Sequence, residues 1–88
     1  MATIKLYGAF RRHVTDWRQQ IDAATVGEAL RLLTADNPPL REGIFAGEGL
    51  RPHVRVVING RDAALLGCLD TPLTPTDEVS VFSPIGGG

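Results

Sequence analysis

Several residue types are nearly absent from this chain: its 88 residues include one cysteine, one lysine, one tyrosine, one tryptophan and one methionine. The single cysteine, Cys68, excludes an internal disulfide and a cysteine metal cluster. Set among Leu65, Leu66 and Leu69, it reads as a small buried hydrophobe. His13 and His53 stand far apart with no third ligand patterned between them, so both read as loop residues rather than a metal pair. Net charge is −1 with arginines and acids interspersed, which excludes the basic footprint of a nucleic-acid binder. No apolar run approaches the ~20 residues of a membrane span, and residues 1–5 carry no signal-peptide apolar region. The expected address is the cytoplasm. What remains is one soluble domain with no nucleic-acid or membrane partner and no bound cofactor or metal, too small for a deep active site. No histidine, carboxylate and nucleophile form a recognisable catalytic set.

What is present reads in order along the chain. Residues 3–7 alternate, with Ile4 and Leu6 on one face and Thr3, Lys5 and Tyr7 on the other, the pattern of a half-buried strand ending at Gly8. Residues 9–16 read as a polar connection. Its Arg11-Arg12-His13 trio could meet an acidic partner, but reads first as a solvated loop. Residues 17–21 predict a second strand antiparallel to the first, with Trp17 as core or edge cover. Thr25-Val26-Gly27-Glu28 matches a capping box, and Val26, Ala29, Leu30 and Leu33 then form one apolar helical stripe. Asn37-Pro38-Pro39 must end that helix. Over 40–51, three glycines interrupt Ile44, Phe45 and Leu50, which predicts one helical turn near 40–45, then a mobile loop, with Phe45 as a lid on the core. The β-branched run 54–58 reads as a central strand, and Asn59-Gly60 is the type I′ pair, predicting a return strand over 61–64. Residues 65–73 cross over, with Leu66, Leu69 and Leu73 available to the core. The closing strand sets Val79 and Val81 on one face and Ser80 and Phe82 on the other. If that strand pairs centrally and parallel to the first, the fold class is α+β: a β-grasp (ubiquitin-like) mixed sheet packed on one main helix.

The end of the chain is unlike the rest. Ser83-Pro84 stops the hydrogen bonding of the last strand, and Ile85-Gly86-Gly87-Gly88 follows. The expected division is a domain over 1–83 and a flexible, extended tail over 84–88. Read as a terminus, the glycines neither join two folded parts nor turn the chain back; they present a carboxylate on an arm without side chains. Fully extended, residues 83–88 reach on the order of 20 Å at roughly 3.3 Å per residue. Without Cβ atoms the last of them fit a narrow tunnel. A carboxylate is a poor electrophile, so its use requires activation, for instance as a mixed anhydride with a nucleotide phosphate.

Asn59-Gly60 after an apolar strand, the run Gly67-Cys68-Leu69-Asp70-Thr71-Pro72-Leu73 and the closing residues 77–88 resemble the ThiS/MoaD family of ubiquitin-like sulfur carriers over the whole chain. Members commonly end in a Pro-Val-Ala-Gly-Gly-like sequence. Pro84-Ile85-Gly86-Gly87-Gly88 aligns with it without a gap, Gly86 taking the alanine place. Pro75-Thr76, Ser83 and Cys68 depart from the family pattern without touching the acyl chemistry. The resemblance implies a carrier acting with partner enzymes. Gly88 would be adenylated by a ubiquitin-activating-type adenylyltransferase that uses ATP, and then receive sulfur from a persulfide to become a thiocarboxylate. Gly87 would let it pass down the partner's channel. The implied acceptor is a synthase, such as a molybdopterin synthase large subunit, a thiazole synthase or a sulfhydrylating cysteine synthase. The alternative is a ubiquitin-like modifier joined through Gly88 to target lysines; with Lys5 alone, self-chains would have a single side-chain attachment point. The outer sheet face expected to carry Lys5, Tyr7, Val57 and Phe82 is more apolar than a solvated face needs, which predicts a partner site anchored by Phe82 with Tyr7 and Val57. The competing placement packs Phe82 under the 40–51 loop.

Overall fold

Strict alternation from Ala2 to Tyr7 makes the first strand, β1, burying Ala2, Ile4 and Leu6 and turning Thr3, Lys5 and Tyr7 to the opposite face. The computed structural model describes residues 1–52 and 54–83; His53 and the expected tail, 84–88, lie outside the described residues. β2 (Arg18–Ile21) runs antiparallel to β1, with Lys5 opposite Arg18. Between them is a 3-10 helix, Gly8–His13, where a polar loop was expected. Phe10 decides the difference: it is only 4% exposed and belongs to the core, so the connection is pinned from beneath.

The capping box forms with one change. Thr25 Oγ1 accepts from the Glu28 N–H at 3.2 Å and starts α1 (Val26–Thr34), while Glu28 Oε1 accepts from Ala24 N, one residue before the cap. Val26, Ala29 and Leu30 are fully buried and Leu33 packs on the core more shallowly. Asn37-Pro38-Pro39 ends this helix and also begins another. Asn37 Oδ1 accepts from Leu40 N and proline occupies the first turn of α2 (Pro38–Ile44), where its missing N–H costs nothing. The expected mobile loop after it is instead a small hairpin, β3 (Phe45–Ala46) and β4 (Gly49–Leu50), turning through Gly47 at φ +66°. Phe45 is part of the core.

β5 (Arg55–Ile58) turns through Asn59 and Gly60, both at positive φ as a type I′ turn requires, into β6 (Arg61–Asp62). β6 stops two residues short of expectation, because Asp62 Oδ1 accepts from Ala64 N and caps a 3-10 turn, Ala63–Leu65. A second such turn, Cys68–Asp70, follows. Three residues per turn cannot aim every leucine of this crossover inward. Leu69 and Leu73 pack on the core, whereas Leu65 and Leu66 are 83% and 44% exposed. Cys68 is exposed too, at φ +53°, which corrects the buried reading.

β7 (Glu78–Phe82) closes the sheet in its middle. The order is β2-β1-β7-β5-β6, with β7 parallel to β1 and antiparallel to β5. Ile4, Leu6, Val56, Ile58, Val79 and Val81 from the inner face meet Val26, Ala29 and Leu30 of α1 and Leu40 and Ile44 of α2. This is the predicted β-grasp, a mixed sheet curled over its helices.

Candidate functional site

The expected tail follows a strand that is hydrogen-bonded on both sides. Phe82 pairs with Tyr7 on one side and Arg55 on the other, and Val81 with Leu6 and Val56. Its far end is tied as tightly. Asn59 Oδ1 accepts from Glu78 N at 2.9 Å, Asn59 Nδ2 donates to Asp77 Oδ1 at 2.8 Å, and Asp77 Oδ2 accepts from Thr74 N. The Thr74 N–H and then the Asn59 amide hold the Asp77 carboxyl below its ordinary range. Gly8, at φ +66°, lies where an added Cβ would come within 3.0 Å of the Ser83 Cβ, so glycine lets β7 run past the end of β1 to the root of the tail.

Period-two alternation on three neighbouring strands puts the outer-face residues in rows. One row holds Lys5, Ser80 and Val57; the next, towards the tail, holds Tyr7, Phe82 and Arg55. The Tyr7 and Phe82 rings stack, with centroids 4.8 Å apart and planes 11° apart. Trp17 leans on Tyr7 at 5.9 Å, and the Arg11 guanidinium lies 4.3 Å from the Trp17 centroid. Phe82 is 37% exposed within this cluster, so it does not pack under the 40–51 segment. Lys5 Nζ pairs with Glu78 Oε1 at 2.6 Å, and this hydrogen bond and charge hold the Glu78 carboxyl below its ordinary range. Arg55 pairs with Asp62, whose carboxyl is lowered first by the Ala64 N–H and then by Arg55.

Of the residues predicted to meet a partner, Tyr7 and Phe82 are in contact and Val57 lies one row away on the same face. Pro84, Ile85, Gly86, Gly87 and Gly88 lie outside the described residues. Trp17, read as core or edge cover, caps the aromatic row. Arg11, read as solvated, covers Trp17, and no local pattern in the sequence pointed there. An open cavity of about 610 Å³ between α1, α2 and the β3–β4 hairpin, lined by Arg31, Thr34, Arg41 and Phe45 among others, includes none of these residues. Among the described residues no group of three or more His, Cys, Asp or Glu is placed to hold a metal, and no helix is long and apolar enough to cross a membrane.

A ubiquitin-like β-grasp body of this kind is shared by families of small carrier and modifier proteins. Residues 4–88 match the ThiS family, and the chain belongs to it. It is 37% identical to small archaeal modifier protein 3 of Haloferax volcanii over 97% of this chain and 96% of that protein. The solution structure of the Haloferax volcanii HVO 2177 protein superposes with a TM-score of 0.78 at 36% identity, covering 99% of this chain and 85% of that one. A chain of the Amycolatopsis orientalis BexX/CysO complex shares the fold with a TM-score of 0.88 at 19% identity, each chain covered completely.

Proposed function

We propose that this chain is a sulfur carrier whose Gly88 carboxylate is adenylated by a ubiquitin-activating-type enzyme and then converted to a thiocarboxylate. The observation that supports this most is the sequence Pro84-Ile85-Gly86-Gly87-Gly88 directly beyond β7, the doubly paired central strand of a ThiS-family body. In the first step a Gly88 carboxylate oxygen attacks the α-phosphorus of ATP and pyrophosphate leaves, giving the acyl adenylate. A sulfur nucleophile then attacks the acyl carbon and AMP leaves. When that nucleophile is a persulfide, a thiol reduces the resulting acyl S–S bond to free the thiocarboxylate.

ATP belongs to the activating partner, and the carrier contributes position and access. A thiocarboxylate left in water is hydrolysed or oxidised, so both transfers favour a tail inserted into a water-poor site. Pairing of Phe82 on both sides holds the base of the arm, and glycines, having no Cβ, fit a narrow channel. Tyr7, Val57 and Phe82 supply the face on which the partner docks, with Phe82 as anchor. A sulfur-accepting synthase in the formation of molybdopterin, thiamine, cysteine or another thio-metabolite takes the product.

A second reading, conjugation through Gly88 to lysines of other proteins, is favoured by the name of the Haloferax volcanii relative, a modifier. Both readings share the adenylation step. ATP–pyrophosphate exchange with the activating enzyme tests it: the full chain should support exchange and a chain lacking Gly88 should not. Equal exchange by the truncated chain overturns both readings.

A further inference from the structure

The 3-10 turn Gly8–His13 holds three basic residues on a rigid frame at the root of the tail. Phe10 pins it to the core. Arg11 Nε donates to the carbonyl oxygen of Leu6 at 3.0 Å, and the guanidinium rests over Trp17 at 4.3 Å and Tyr7 at 5.2 Å. The carbonyl oxygen of His13 accepts from Asn37 Nδ2 at 2.7 Å, tying the turn to the start of α2. Arg11, Arg12 and His13 nevertheless stay exposed.

The two ion pairs found among the described residues, Lys5–Glu78 and Arg55–Asp62, involve neither Arg11 nor Arg12, and Arg18, opposite Lys5 on the outer face, is in neither of them. Glu78 lies at the opposite end of β7, about 13 Å from Phe82 at roughly 3.3 Å per residue, and Asp77 precedes it. The acid nearest the turn along the chain is Asp16, whose Oδ1 accepts from Arg18 N.

We infer that this basic turn docks on acidic side chains of the activating enzyme beside the mouth of the channel that admits the tail. The inference rests on the carrier reading above and names the chemistry of that partner's surface. Phosphate of the adenylate is the wrong ligand for these arginines: it forms at Gly88, on the order of 20 Å beyond Ser83 when the tail is extended. Carboxylates suit the arginine fork, and a guanidinium already fixed by stacking loses little freedom on binding. Cations around an apolar row also steer the encounter, bringing the tail to its channel in register.

The test is the KM for this chain in ATP–pyrophosphate exchange with the ubiquitin-activating-type enzyme of the same organism, over a range of salt. Arg12→Glu is the decisive variant, because Arg12 makes no hydrogen bond or ion pair recorded among the described residues and its loss leaves the fold intact. Arg11→Glu and Arg12→Glu should each raise KM about tenfold at low salt, with kcat unchanged and the difference shrinking as salt rises. Arg61→Glu, the same change of charge in β6 at the far end of the sheet, should stay within about twofold of the parent. Exchange by the parent chain with equal KM for Arg12→Glu and Arg61→Glu overturns this inference alone. No exchange by the parent chain overturns the carrier reading and this inference with it.

Discussion

Replacing Phe82 by alanine separates what the aromatic row does for the fold from what it does for a partner. In the free chain Phe82 is 37% exposed and its main contact is the Tyr7 ring at 4.8 Å. Truncation therefore removes one stacked pair and part of a hydrophobic burial, about 1 kcal/mol, against about 3–5 kcal/mol for a fully buried phenylalanine. For a domain of this size, about 1 kcal/mol lowers Tm by roughly 4–8 °C. An interface anchor is worth more, about 2 kcal/mol or above, which is a rise of about 30-fold in KM for the carrier in pyrophosphate exchange. The assay pairs thermal melting of Phe82→Ala with KM measured well below its Tm. Val81→Ala supplies the contrast. Fully buried on the inner face, it should cost about 2 kcal/mol of stability and leave KM unchanged. A KM for Phe82→Ala within about twofold of the parent removes Phe82 from the docking face. A loss of stability as large as that of Val81→Ala makes it a core residue instead.

Gly27→Ala should destabilise even though it improves helix propensity, because the new Cβ would meet the Leu69 carbonyl oxygen at 3.0 Å and its Cβ at 3.1 Å. A cost of about 1–3 kcal/mol is expected, and a raised Tm would show that the Cys68–Asp70 turn yields freely. Acid should weaken the fold through Asp62, Asp77 and Glu78, whose carboxyls are all held below their ordinary range. With folded pKa values below the unfolded ones, near about 3.9–4.3, the stability they contribute is fully present at higher pH. It is lost as pH falls through that range towards the folded values. Asp77→Asn should flatten the dependence of Tm on pH below about pH 5; an unchanged slope would mean that the Asn59–Asp77–Thr74 clasp carries none of it.

Much of this fold is written locally. Thr25 with Glu28, Asn59 with Gly60, and the alternation of Ile4-Leu6 and Val79-Val81 each set an element through contacts a few residues apart, and each is found in the structure. The elements that escaped the sequence reading depend on distant contacts or on short-period turns. Phe10 is one apolar residue in a polar stretch, and only the core beneath it shows why a 3-10 helix forms. Pro38 reads as a stop, yet the Asn37 cap makes it the start of α2. Leu66 and Cys68 look interior by composition but are turned outward by two 3-10 turns.

The candidate site divides in the same way. Tyr7 and Phe82 could be placed on one face by period-two alternation, and parallel pairing of β1 with β7 makes them neighbours. Trp17 and Arg11 join that row only because the β1–β2 register sets Arg18 opposite Lys5 and a 3-10 turn returns Arg11 towards Leu6. Neither fact has a local signature. The acyl chemistry proposed for Gly88 rests on the closing sequence and the family it resembles, since residues 84–88 lie outside the described residues.

Intact mass of the chain after incubation with ATP, its activating enzyme and a sulfur source tests the account most directly. A carrier gains the mass difference of one oxygen replaced by one sulfur, located at Gly88 by fragmentation and abolished when Gly88 is deleted. An unchanged mass, or the same gain in the truncated chain, would contradict it; adducts to the lysines of other proteins in place of that gain would assign the chain to the modifiers.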